Sequence, residues 1–252
     1  MNGLKGKRVL IAGGGGIGAA SARRIASEGG RVMLGDLNAE AARDVAEAIS
    51  ADGHDCVAMQ YDQSDDASIA ALVEAACDRF GGLDGVLVNA ADMKAILSDG
   101  DLESIDMAVF DRTIEVNLRG SAMVARLALP AIRESRGAIV FMSSSAAHMG
   151  EPERVAYQVG KAGLNALVRH IASRWGKEGV TANAIAPGMV LTDQIRGNLP
   201  AEFQEQVLAA HRHERLGEPE DIAAMVALLM SGDGAWITGQ VLAVDGGASI
   251  RP

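Results

Sequence analysis

Tyr157-Gln158-Val159-Gly160-Lys161 sets a phenol and an ammonium four residues apart, one turn along one face if the stretch is helical. A phenol with a pKa of about 10 is a poor base at neutral pH, and an ammonium held beside it favours phenolate and draws that value toward the working range. A phenol so tuned can take the proton of an alcohol or return one to a ketone. Tyr and Lys four apart also occur on ordinary half-exposed helix faces, so the pair takes its meaning from its surroundings.

The surroundings supply a scaffold. Glu153 to Gly176 is predicted to be a helix, with Val155, Leu164, Leu167, Val168, Ile171 and Trp175 at mixed three- and four-residue steps. Before it, Gly137 to Ser143 reads as a buried strand ending in Ser143-Ser144-Ser145. A hydroxyl at that strand end, facing the start of the helix, could hydrogen-bond the same substrate oxygen as Tyr157.

The rest of the chain alternates strand and helix with no linker or internal repeat, which predicts one α/β domain over residues 1–252. Strands are expected at Arg8–Ala12, Arg31–Gly35, Asp55–Gln60, Gly85–Asn89, Gly137–Ser143, Thr181–Ala186 and Gln240–Val244. Their nearly continuous apolar character suits a parallel seven-stranded sheet, doubly wound, with helices on both faces. The helices are expected near Gly16–Glu28, Ala39–Ser50, Asp66–Phe80, Asp106–Glu134, Glu153–Gly176 and Pro219–Met230, with glycines closing three of them at Gly29, Gly53 and Gly81.

At 252 residues and 48% hydrophobic content the chain can bury a substantial core. A net charge of −10 argues against general binding to nucleic acid or an anionic membrane. Arg119, Arg126, Arg133, Arg169 and Arg174 form either a local basic patch or solvated helix faces. Cys56 and Cys77 are too few and too isolated for a disulfide framework or a zinc site. The amino terminus enters a strand directly, without the apolar core of a signal peptide, and a cytoplasmic protein is expected. Ile222 to Met230 is too short an apolar run to span a bilayer.

The first strand runs into Gly13, Gly14, Gly15, Gly16, Ile17 and Gly18. Glycines let the backbone turn tightly and approach a pyrophosphate, which the amides and positive end of the next helix then meet. A strand before, a helix after and a second strand ending at Asp36 are the context that makes this a dinucleotide fingerprint. A carboxylate at Asp36 can accept ribose hydroxyls and repels the extra phosphate of NADP; Leu37, where a phosphate-binding arginine would be useful, points the same way, to NAD. The competing reading has Asp36 merely capping the turn into the next helix.

Taken in order, these residues resemble the short-chain dehydrogenase/reductase family over essentially the whole chain. The further markers are Asp62, Asn89-Ala90-Ala91, Asn117 in Glu115-Val-Asn-Leu118, then Ser144, Tyr157 and Lys161, Pro187-Gly188-Met189-Val190-Leu191-Thr192, and Asp245-Gly246-Gly247. The resemblance implies a single-domain Rossmann fold in which Tyr157 is the acid/base, Lys161 lowers its pKa and contacts the nicotinamide ribose, Ser144 orients the substrate oxygen and Asn117 supports a water-linked proton path. It also implies cofactor contacts at Asp62 and Gln63 for the adenine region, along Asn89, Ala90 and Ala91, and at Pro187, Gly188, Val190 and Thr192 for the nicotinamide end. No metal is implied. A homotetramer, less often a homodimer, is expected through the long helices.

Two departures stand out. The family's Thr-Gly-x-x-x-Gly-x-Gly has Ala12 in the threonine place and is one residue shorter here, and its Asn-Asn-Ala-Gly becomes Asn89-Ala90-Ala91-Asp92. The missing hydroxyl and amide belong to neighbouring strand ends, so the two changes are expected to be linked. Asp92 is either a substrate or cofactor-loop determinant or a solvated loop carboxylate.

Substrate is expected beyond the strands' carboxyl ends, against Asp92, Ser144, Ala146, His148, Met149, Met189, Leu191 and Ile195, with Leu199 and Phe203 adding apolar surface. Residues 193–213 are expected to include a lid. His148 either faces substrate or is a loop histidine without a duty; His211 and His213 lack a third metal ligand nearby. Trp175 and Trp236 read as packing residues. The expected activity is NAD-dependent interconversion of a hydrophobic secondary alcohol and its ketone. The alternatives are a 3-oxoacyl-thioester reductase acting on acyl carrier protein or CoA substrates, and a non-catalytic dinucleotide-binding regulator.

Overall fold

Alternating apolar strands and amphipathic helices assemble into one parallel sheet in the computed structural model, which describes residues 3–198 and 200–250. β1 (Arg8–Ala12) leads to α1 (Gly16–Ser27), β2 (Arg31–Asp36) to α2 (Ala39–Ala51), and β3 (Cys56–Gln60) to α3 (Asp66–Phe80). β4 (Gly85–Val88) is followed by the short helices α4 (Met93–Leu97) and α5 (Met107–Ile114), then by α6 (Ser121–Ser135). Next come β5 (Ala138–Met142), α7 (Ala146–Met149), α8 (Val155–Trp175), β6 (Thr181–Pro187), α9 (Asp193–Asn198), α10 (Ala201–Ala210), α11 (Pro219–Met230) and β7 (Val241–Val244).

The strand order is β3-β2-β1-β4-β5-β6-β7 and every pairing is parallel. Winding reverses between β1 and β4, so their carboxyl ends part and open a crevice there. Side-chain alternation along each strand feeds two cores. Leu10 and Ala12 join Ile69, Leu72, Val124, Leu164 and Val168 from α3, α6 and α8. Val9 and Ile11 face the other way, onto Ile25, Ile49, Ile222 and Val226 from α1, α2 and α11. Both faces being covered explains why the strands are apolar throughout.

The expected strands and five of the six long helices are present to within a few residues, and Gly81 (φ +76°) closes α3 in the left-handed conformation. The helix expected at Asp106–Glu134 is not one regular helix. A π-helical turn, Glu115–Gly120, interrupts it between α5 and α6. The cause is tertiary: Gln63 Nε2 donates to the Val116 carbonyl at 2.7 Å, and a Cβ on Gly120 would stand only 2.2 Å from the Gln63 carbonyl oxygen. Local periodicity carries no trace of a partner 53 residues away.

Other expectations fare unequally. Cys56 and Cys77 are free thiols. Arg119, Arg133 and Arg174 are paired with Asp66 or Glu178, the solvated-face alternative for those three. Trp175 packs against the core and edge-on to His170, whereas Trp236 is 98% exposed. No helix among the described residues is long and apolar enough to cross a membrane.

Candidate active site

At the β1/β4 crevice lies a cleft of about 1280 Å³, bounded at one end by Asp36, Leu37 and Asn38 and reaching Ser144, Tyr157 and Lys161. That is more room than one drug-sized ligand needs and suits a dinucleotide together with a substrate.

The glycine loop is built around backbone contacts. Gly13 has φ +107°, and a Cβ on it would lie 2.4 Å from the Ala90 nitrogen; a Cβ on Gly18 would lie 2.0 Å from the Gly13 carbonyl oxygen. Asn89 Nδ2 donates to the Gly13 carbonyl at 2.8 Å and fastens the loop from β4. Gly15 caps α1 without any side-chain hydrogen bond, and open space surrounds its missing Cβ. A cradle of that form, at an uncapped helix amino terminus, fits a phosphate. Asp36 stands behind it: Oδ2 accepts the Gly14 N–H at 2.7 Å and Oδ1 the Asn38 N–H at 2.9 Å. The carboxylate therefore fixes the loop as well as facing the cleft, while the cap of α2 is Asn38.

Ala12 and Ala90 are neighbours, as the paired departures require: the Ala12 carbonyl accepts the N–H groups of both Asn89 (2.8 Å) and Ala90 (2.9 Å). Asp62 is oriented by Ser64, whose N–H and hydroxyl both reach Oδ1 and hold the carboxyl below its usual range. Gln63 is buried and spends its amide inside the protein, on the carbonyls of Ala90 and Val116 and on the Tyr61 hydroxyl. Its side chain anchors the Ala90 loop to the π turn. Across the cleft, Thr192 stands so close to the loop that a Cβ on Gly16 would lie 2.4 Å from its methyl carbon.

Ser144, Tyr157 and Lys161 converge at the far end. The Ser144 hydroxyl lies beside the Tyr157 phenol and favours its ionised form. Lys161 is buried, donates to the Met142 carbonyl at 2.7 Å, and lies 5.6 Å from the centre of the Tyr157 ring. Burial pushes the Tyr157 phenol up; the Ser144 hydroxyl and the Arg154 guanidinium oppose this, and Glu151 adds to it. Lys161 is itself desolvated, which pulls its own pKa down to about 8.

Asn117 lies in the π turn, fully buried; its Oδ1 accepts the Asp92 N–H at 2.9 Å and its Nδ2 has no hydrogen-bond partner among the described residues. Asp92 is no free carboxylate. It caps α4 through the Lys94 and Ala95 amides and pairs with Arg112 at 3.1 Å, and these donors, against its desolvation, hold its carboxyl low. Met149, Met189 and Ile195 line the cleft with Asp92 and Ser144; Ala146, His148 and Leu191 do not, Ala146 being buried beneath it. Gly18 and Asn117 likewise sit behind the wall. Leu199 lies outside the described residues. Residues 193–198 and 201–210 are helical, and Phe203 faces the cleft from α10.

Arg154 brings a positive charge to Tyr157. It occupies the left-handed region (φ +64°) at the start of α8, pairs with Glu151 and stacks 6.0 Å from the Tyr157 ring. Its place three residues before Tyr157 was a readable signal, since i, i+3 residues share a helix face.

The family model described as enoyl-(acyl carrier protein) reductase matches residues 11–249. The chain belongs to the short-chain dehydrogenase/reductase family. Among its relatives, the cis-4-hydroxycyclohexanecarboxylate dehydrogenase of Sinomonas cyclohexanicum is 38% identical over 235 residues, 92% of each chain. A 7α-hydroxysteroid dehydrogenase solved with NADH and 7-oxo glycochenodeoxycholic acid superposes with a TM-score of 0.90 at 31% identity, covering 97% of this chain and 94% of that one. A metagenomic blue fluorescent protein in complex with NADPH superposes with a TM-score of 0.88 at 31% identity, covering 99% and 100%. The short-chain dehydrogenase/reductase assignment makes the chain an oxidoreductase of the alcohol/ketone type with a nicotinamide nucleotide cofactor.

Proposed function

We propose that this short-chain dehydrogenase/reductase interconverts a hydrophobic secondary alcohol and its ketone with NAD. The carrying observation is the convergence of Ser144, Tyr157 and Lys161 in the same cleft as the glycine loop and Asp36. Gly15, Gly16 and the start of α1 would hold the pyrophosphate, Asp36 the adenosine ribose, and Lys161 with Thr192 the nicotinamide end. When bound, the nicotinamide accepts hydride from an alcohol carbon or delivers it to a ketone carbon.

Ser144 and Tyr157 both present hydroxyls to the substrate oxygen. In the oxidation direction Tyr157 removes the alcohol proton as the C–H bond gives up hydride; in reduction it returns that proton to the carbonyl oxygen. Arg154 and Ser144 stabilise the phenolate this needs, against the burial that disfavours it. Met149 and Phe203, both largely exposed at the mouth, together with Met189 and Ile195 offer an apolar body its contact surface. The alcohols named for the two dehydrogenase relatives are alicyclic secondary alcohols, which fits such a wall. In this reading α9 and α10 close over the substrate, and the enzyme is a homotetramer.

A panel of alicyclic and steroid secondary alcohols with NAD and with NADP tests the reading. Nucleotide reduction is expected with NAD and a bulky apolar alcohol. Turnover confined to 3-oxoacyl thioesters with NADPH would replace it with a thioester reductase, and binding of NADH without turnover of any panel member would leave a regulator.

A further inference from the structure

A helix leaves its first N–H groups without intrahelical acceptors, and a side chain at its start commonly supplies one. At α8 that side chain is missing. The starting residue, Arg154, holds a left-handed backbone and makes no side-chain cap, its guanidinium being engaged by Glu151. Tyr157 is only the third residue of the helix, inside the turn most prone to fray.

The acceptors come from the segment after α4. Asp99 Oδ2 accepts the Tyr157 N–H at 2.8 Å and Oδ1 the Ala156 N–H at 3.3 Å, and the Gly100 carbonyl accepts the Val155 N–H at 3.2 Å. The carboxylate is a charged acceptor at the positive end of the helix, the arrangement in which such bonds are strongest. Asp99 follows directly on α4, which Asp92 caps and whose Met93, Lys94 and Ile96 line the cleft. From these contacts we infer that Asp99 is a positioning residue for Tyr157: it clamps the first turn of α8 from the segment after α4 and ties the placing of the phenol to the α4 wall. This rests on the reading of Tyr157 as acid/base.

The clamp has a kinetic consequence. Losing it frees the Tyr157 amide and lets the first turn fray, displacing the phenol, and a displacement of roughly 1 Å costs on the order of a hundredfold in rate. The glycine loop and Asp36 lie on β1, α1 and β2, away from the clamp, so most of the cofactor's contacts are spared.

The test compares Asp99→Ala, Asp99→Asn and Asp106→Ala. Asp106 caps α5 through the Ala108 N–H at 2.9 Å and so controls for loss of a cap as such. Asp99→Ala is expected to lower kcat about 10- to 100-fold, to leave the Kd for NADH within about twofold, and to speed exchange of the Tyr157 amide. Asn keeps one acceptor oxygen, so Asp99→Asn is expected to recover a large part of kcat. The inference is overturned if Asp99→Ala lowers kcat no more than Asp106→Ala does, if Asn rescues nothing, or if NADH affinity falls in step with kcat. Should Asp99→Ala not fold, Asp99→Asn decides alone: faster exchange of the Tyr157 or Ala156 amide with a reduced kcat supports the clamp, and unchanged values of both overturn it. Turnover by Tyr157→Phe equal to wild type would instead refute the role of Tyr157 itself, whatever the Asp99 variants do.

Discussion

Asp36 reaches the Gly14 amide at 2.7 Å across 22 residues, so one carboxylate both shapes the glycine loop and faces the place proposed for the adenosine ribose. Selectivity and loop geometry are thereby joined. Asp36→Ala is expected to raise the Kd for NADH about 10- to 100-fold, the worth of bonds to a charged acceptor, and to narrow any preference over NADPH. Asp36→Asn, which keeps an oxygen for Gly14, is expected to lose less. Fluorescence titration with both nucleotides measures this; affinities unchanged in Asp36→Ala would remove Asp36 from the cofactor site.

Gly15 separates loop folding from ligand binding. It already has an ordinary extended backbone (φ −68°), and nothing lies within 4 Å of where its Cβ would be. Gly15→Ala is therefore expected to unfold within about 2 °C of wild type while binding NADH at least about tenfold more weakly, because the methyl would occupy the proposed phosphate cradle. Thermal melts beside a binding titration check it, and full NADH affinity would count against the cradle.

Lys161 makes stability depend on pH with a definite sign. Its pKa falls from 10.5 in the unfolded chain to about 8 in the folded one, so between those values the unfolded chain holds more protons. Stability must then rise as pH rises through that window, by roughly 3 kcal/mol if the shift is fully expressed. Lys161→Met lacks this contribution. Urea unfolding at pH 7.5 and pH 10 is expected to show wild type gaining on Lys161→Met as the solution becomes alkaline; parallel behaviour would mean that Lys161 stays charged in the folded chain.

The sheet was legible because a parallel sheet covered on both sides needs strands apolar throughout, and Val9, Ile11, Leu34 and Val140 are buried accordingly. The glycine loop, Asp36 and the Ser144, Tyr157 and Lys161 set were legible because each lies on a strand end or helix turn that sequence marks. What sequence hid was long-range. Gln63 breaking the helix at Val116, and the burial that pushes the Tyr157 phenol up, both depend on packing between distant segments. Asp92 looked like a free loop carboxylate or a substrate contact because its partner Arg112 lies 20 residues on.

The most direct measurement is turnover by Tyr157→Phe, with NADH binding followed in the same preparation. Removing only the phenolic oxygen leaves the ring, the Arg154 stack and the Asp99 clamp in place. A fall in kcat of about 10²- to 10⁴-fold with NADH affinity retained is the expected result for a lost general acid/base. A kcat within about threefold of wild type would contradict the assignment of the proton to Tyr157.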